Sequence, residues 1–217
     1  MSALERVRDR LGTWFGRAAE GPARWVVIDT ETSGLDPERD ALLAIGAVAV
    51  DGEGIRVADS FEVVLRNQTA GSAENVVIHG IGYGAQSEGV PLADALPAFA
   101  AYVDAAPCVG FHTGFDRAVL DRAFAAANAG PMVMTWLDVA ELAAALHPEQ
   151  HNRGNRSLDD WLTRYAIDTA SRHSAAGDAL ATAELLLRLR AVAAGQGSRG
   201  FGALARMARQ HRWLGTS

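Results

Sequence analysis

Asp29 and Glu31 stand two residues apart at the end of an apolar run, Trp25-Val26-Val27-Ile28. Such a run reads as a buried strand, and period-two alternation puts both carboxylates on one face. Like charges buried side by side repel each other unless a cation offsets them. Asp29 and Glu31 therefore read as oxygen ligands for a hard divalent metal. Taken alone, the pair fits equally well a strand end carrying two solvated acids.

Two clusters further along add to this reading. Phe111-His112-Thr113-Gly114-Phe115-Asp116 lies where a short buried strand hands over to a helix. Asp116 falls near that helix N-terminus, where an anion is favoured. His173-Ser174-Ala175-Ala176-Gly177-Asp178 opens a long Ala/Leu helix. Ser174 suits its N-cap, and Asp178 shares a face with Ala181, Leu185 and Leu189, so it points inward. A buried, unpaired aspartate is costly, which again suggests a metal. His79, within Ile78-His79-Gly80-Ile81, borders a Gly-rich linker; His147 and His151 flank a polar loop and read as structural.

The elements that must position these residues follow from periodicity. Strands are expected at 24–30, 42–50, 55–65, 108–111 and 132–137, with Asp51-Gly52-Glu53-Gly54 turning a hairpin between the second and third. Helices are expected at 91–103, 115–129, 138–146, 157–165 (Ser157 as N-cap, Asp160 at N3) and 174–194. Residues 75–84 read as a linker and 147–155 as a loop. Three strands in a row, then alternating helices and strands, indicate an α/β layer fold with a mixed central sheet flanked by helices. Residues 1–22 form an amphipathic N-terminal extension (Leu4, Val7, Leu11, Trp14), 23–195 the main domain, and 196–217 a helical C-terminal extension with Phe201, Leu204, Met207 and Trp213. Both apolar stripes suit packing on the domain, a homodimer contact or a polymerase partner.

Composition narrows the function classes. The 217 residues are 49% hydrophobic and 21% charged, with a net charge of −6. That is a globular composition without the broad basic surface that dominates non-specific DNA binding. Cys108 is the one cysteine; it excludes a disulfide scaffold and a Cys-ligated zinc site and reads as core. No apolar run is long enough for a membrane span, and the N-terminus has no signal-peptide h-region, so a cytoplasmic protein is expected.

Four acids and a histidine in this order, Asp29, Glu31, Asp116, His173 and Asp178, resemble the DEDDh exonucleases, the family of the proofreading epsilon subunit of bacterial replicative DNA polymerase. Asp29-Thr30-Glu31-Thr32-Ser33-Gly34-Leu35 is similar to the family's first motif, followed by the typical Ile45-Gly46-Ala47-Val48 strand. Phe115-Asp116 matches the second motif, and His173 with Asp178 the third; Ile78-His79-Gly80-Ile81 resembles a linker motif. The resemblance runs from Trp25 to Arg190. It implies a ribonuclease H-like fold and 3′→5′ hydrolysis of phosphodiester bonds, releasing nucleoside 5′-monophosphates. Asp29, Glu31, Asp116 and Asp178 would organise two Mg²⁺ or Mn²⁺ ions, Asp29 bridging, with His173 as general base. The backbone around Thr30 to Thr32 would approach the terminal nucleotide, His79 would border the cleft, and His112 would either serve in packing or touch the substrate. Many relatives carry His-Asn where this chain has Phe111-His112. The expected substrate is a single-stranded 3′ end of DNA; the alternatives are an exoribonuclease of the same family and a non-catalytic replisome adaptor.

Overall fold

The computed structural model describes residues 24–67, 81, 83–130, 132–149, 156–169 and 172–215. The N-terminal extension expected at 1–22, His79 and His151 lie outside the described residues.

Strands β1 (Trp25–Thr32), β2 (Leu42–Val50), β3 (Ile55–Val64), β4 (Cys108–Gly110) and β5 (Trp136–Asp138) form one sheet in the order β3-β2-β1-β4-β5. β1 and β2 pair antiparallel, as do β2 and β3, whereas β4 joins β1 and β5 in parallel. The sheet is mixed, as expected. The β2–β3 hairpin turns at 51–54, where the Asp51 carboxylate accepts hydrogen bonds from the Glu53 and Gly54 amides. Gly54 has φ +136°, a conformation that glycine adopts without steric cost.

The described helices are α1 (Tyr83–Glu88), α2 (Leu92–Val103), α3 (Gly114–Ala126), α4 (Val139–Leu146), α5 (Leu158–Arg164), α6 (Ala175–Gly195) and α7 (Phe201–Gly215). They cover both faces of the sheet. Alternation along β1 sends Trp25 and Val27 into one core, with Val48, Val50, Val109 and Leu137, beneath α4, α5, α6 and α7. Val26 and Ile28 face the other core, with Ile45, Ala47 and Cys108, beneath α2 and α3. Cys108 is a buried, free thiol, as expected. Asp29 and Glu31 thus continue the α6 face of β1, and Thr30 continues the α3 face.

Local signals act as chemistry dictates. Ser157 caps α5 in a reciprocal capping box with Asp160. The Ser174 hydroxyl accepts the Gly177 amide at the start of α6.

Three expectations need correction. The strand expected at 132–137 forms only at Trp136–Asp138. β4 is three residues long, and its register pairs Cys108, Val109 and Gly110 with those three residues. Val133 is 94% exposed, so the apolar residues before 136 have no ladder to join. The linker expected at 75–84 gives way to helix at Tyr83, where Gln86 is buried and donates to the Ile81 carbonyl. On α7 the buried stripe is Phe201, Leu204, Ala205 and Ala208. Met207 is partly buried against it, and Trp213 lies off it, 79% exposed.

Candidate active site

The site forms where β1 runs out of its core. On the α6 face, ligand oxygens of Asp29, Glu31 and Asp178 all lie within 4.8 Å of one another. Asp178 reaches the pair because α6 begins directly above β2. Gly46 pairs with Asp29 across the ladder, and a β-carbon on Gly46 would fall into the backbone of Ala175 and Ala176. Only hydrogen at that position lets the first turn of α6 settle onto the sheet. Gly46 is therefore a determinant of site geometry, although it carries no chemistry.

Asp116 arrives from the other face. It lies in the first turn of α3, is 5% exposed, and accepts two hydrogen bonds from Thr30 through one oxygen. The Thr30 hydroxyl donates at 2.7 Å and its amide at 3.1 Å. Thr30 is thus committed to holding a carboxylate, and the end of β1 presents acids from both layers of the fold. The Thr32 hydroxyl donates to the Gly34 carbonyl at 2.6 Å and fixes the turn that follows the strand.

The electrostatics are those of crowded acids. Burial, then the negative charges of Asp116 and Glu31, raise Asp29 well above the ordinary carboxylate range, against a smaller pull from Arg172. Glu31 is raised to about 7 by burial and the charge of Asp116, again opposed by Arg172. Asp116 is raised to about 6 by burial, in spite of its hydrogen bonds from Thr30. Each acid resists ionising beside the others. A donor set made only of carboxylate oxygens, together short of positive charge, fits a hard divalent cation.

Sequence reasoning missed two contributors. The Arg172 guanidinium bridges Asp178 and Asp159 and is the cation that the described structure sets against the cluster. Only its place beside His173 could have drawn attention to it. Asp138, at the end of β5, accepts the His112 amide and both the amide and hydroxyl of Thr113, and caps α4 through the Ala140 amide. It ties the β4–α3 junction, and with it Asp116, to the next strand. Its N-cap position on α4 was the available signal.

His173 sits at the exposed rim, one residue before the α6 N-cap, and its amide donates to Asp178 at 3.2 Å. Its φ is +62°, and His112 has φ +57°. Left-handed conformations at non-glycine residues store strain of about 1–3 kcal/mol and cluster at functional sites. The His112 ring packs edge-on against Phe111, 4.6 Å between centroids. His147 lies elsewhere, against Trp161 and Tyr165, in keeping with a structural role.

A five-stranded mixed sheet with these helix layers is the ribonuclease H-like fold of exonucleases. Exonuclease X bound to 5′-overhanging duplex DNA matches with a TM-score of 0.65 at 22% identity, over 85% of this chain and 99% of that one. Escherichia coli exonuclease I bound to a dT13 oligonucleotide matches with a TM-score of 0.67 at 17% identity, over 81% of this chain and 42% of that one. The exonuclease family model (RNase T) matches residues 26–186, and the chain belongs to that family. Among similar sequences are PolC-type DNA polymerase III of Latilactobacillus sakei, 30% identical over 178 residues, and of Thermotoga maritima, 26% identical over 168. The matched segments cover 79% and 77% of this chain and 12% of each polymerase, so the chain spans about an eighth of those relatives. No described helix is long and apolar enough to cross a membrane.

Proposed function

We propose that the chain is a DEDDh-type 3′→5′ exonuclease that removes nucleoside 5′-monophosphates from single-stranded DNA ends with two Mg²⁺ or Mn²⁺ ions. The observation that carries this reading is the convergence of Asp29, Glu31 and Asp178 within 4.8 Å, with Asp116 fixed beside them by Thr30. DNA as the substrate is favoured by the names of the relatives, DNA polymerases and DNA-bound exonucleases.

In this reading Asp29, Glu31, Asp116 and Asp178 hold the cations. When bound, such cations polarise the phosphoryl group and lower the pKa of a bound water. The chain's own contributions are positional and acid–base. Thr30 keeps Asp116 from rotating away, and Asp138 holds the β4–α3 junction that carries it. His173, at the open rim next to Asp178, takes the proton of the attacking water. Its left-handed backbone stands at the residue before the α6 N-cap, Ser174.

The test is one assay on the full chain. 5′-labelled single-stranded DNA, recessed duplex and RNA are incubated with Mg²⁺, Mn²⁺ or EDTA. A ladder shortening from the 3′ end of DNA, absent in EDTA, is expected. Release of the 5′ label as a mononucleotide with no shrinking ladder would reverse the polarity, and RNA cut faster than DNA would move the substrate to RNA.

A further inference from the structure

Charge is segregated along this chain. All 26 acidic residues precede position 185, and residues 185–217 carry six of the 20 basic residues, every one an arginine. Half of those six lie on α7, at 206, 209 and 212, with no acid on the helix. On a protein of net charge −6, this is a local positive field that the bulk composition conceals.

The orientation of α7 gives that field a place. At its start, Phe201 packs edge-on against Trp25, the first residue of β1, 5.4 Å between centroids. Near its end, the His211 ring nitrogen Nδ1 meets Glu141, in the first turn of α4, at 2.8 Å. α4 follows directly from β5, whose Asp138 ties down the junction that carries Asp116. α7 therefore runs alongside the parallel strands toward their carboxyl ends. Ten helical residues rise about 15 Å, and the four residues from Trp25 to Asp29 span about 13 Å. The last turns of α7 thus lie toward the end of the sheet at which the acid cluster sits.

The face of α7 turned away from the core joins Arg206, Arg209, Gln210 and Trp213 around one hollow. Arg206 and Arg209 are exposed and make no ion pair or hydrogen bond with a described residue. Trp213, 79% exposed, shares their side of the helix at spacings of four and seven. Guanidinium groups beside an aromatic face are the two elements by which proteins hold single strands without reading sequence.

We propose that this outer face of α7 is an accessory binding surface for single-stranded nucleic acid, holding the strand behind the end that is being cut. Arg206 and Arg209 would contact phosphates and Trp213 would stack on a base. The inference rests on the exonuclease reading and adds to it a length-dependent grip outside the acid cluster.

The experiment compares the full chain with an Arg206→Ala/Arg209→Ala/Trp213→Ala variant. Fluorescence anisotropy with a labelled single-stranded oligothymidylate of about 20 nucleotides, in EDTA, reads binding without cleavage. Loss of one stacked base and two phosphate contacts should weaken Kd tenfold or more and lower the salt slope by about 1.4. The ratio of kcat/KM on that oligonucleotide to kcat/KM on a dinucleotide, too short to span both sites, should fall by a similar factor, and Trp213→Phe should keep most of the binding. An unchanged Kd and salt slope in a variant that still cuts DNA would overturn the accessory surface while leaving the exonuclease reading intact. A wild-type protein that cuts no nucleic acid would remove the reading on which it rests. If sedimentation shows the variant changing oligomeric state with DNA affinity intact, the face belongs to a protein contact and the proposal fails.

Discussion

Removing metal should turn the acid cluster into a pH-dependent liability. Glu31 carries the argument because its folded value is raised to about 7 from an ordinary 4.5. A carboxyl group that binds its proton more tightly in the folded state stabilises the fold while protonated. Its contribution is complete below pH 4.5 and is lost as pH climbs through 7. At about 1.36 kcal/mol per tenfold in proton affinity, the ideal loss is about 3 kcal/mol. Glu31 is half-buried, and solvent screening reduces that to about 2 kcal/mol. For a domain of this size, the loss corresponds to a fall in Tm of roughly 4–8 °C. The assay is differential scanning fluorimetry of the full chain in EDTA from pH 5 to 8. Glu31→Gln, neutral throughout, should show a shallower fall. Mg²⁺ at saturating concentration should flatten the wild-type curve, because it binds the ionised cluster and adds stability by mass action, about 2.7 kcal/mol at a hundred times Kd. A Tm in EDTA that is level or rises across that window, or a fall identical in Glu31→Gln, would refute the reasoning.

Other expectations follow from single contacts. Gly46→Ala should push α6 off the sheet, costing about 1–3 kcal/mol in denaturant titrations and lowering metal affinity more than tenfold by calorimetry; a stable variant with unchanged affinity would show that the close approach is dispensable. His173→Gly keeps the left-handed turn and deletes the imidazole, so kcat should drop at least a hundredfold while Tm holds or rises. Arg172→Met frees Asp178 from its guanidinium partner, so Mg²⁺ should bind roughly fivefold more tightly at pH 8, a change of about 1 kcal/mol; weaker binding would make Arg172 a support rather than a competitor. Asp138→Asn removes the negative charge that holds the His112 and Thr113 amides and should raise KM and lower kcat together; a loss confined to Tm would leave it purely structural.

The parts of the site legible in the sequence were those encoded by short-range chemistry. Period-two spacing put Asp29 and Glu31 on one face before any fold was known. Ser157 with Asp160, and Ser174, announced the starts of α5 and α6. The illegible parts depend on which strand lies beside which. Thr30 was expected to approach the terminal nucleotide, and its hold on Asp116 depends on α3 covering the opposite face of β1. Gly46 stood within a plain apolar strand, and its importance comes from a helix that begins 129 residues later. Arg172 was invisible for the same reason, since its partners Asp159 and Asp178 lie on two different helices. The start of β5 was missed because an edge strand extends only as far as its neighbour. Trp213 carries helical spacing without belonging to the buried stripe, a distinction that periodicity alone does not make.

The most direct test counts ions. Mn²⁺ is titrated into the full chain, and free metal is read by electron paramagnetic resonance, for the wild type and for Asp29→Asn. Two ions per chain in the wild type, and loss of both in Asp29→Asn with the fold intact by circular dichroism, is the expected result. Wild-type stoichiometry retained by Asp29→Asn, or no bound Mn²⁺ in the wild type, would contradict a metal-dependent site at the end of β1.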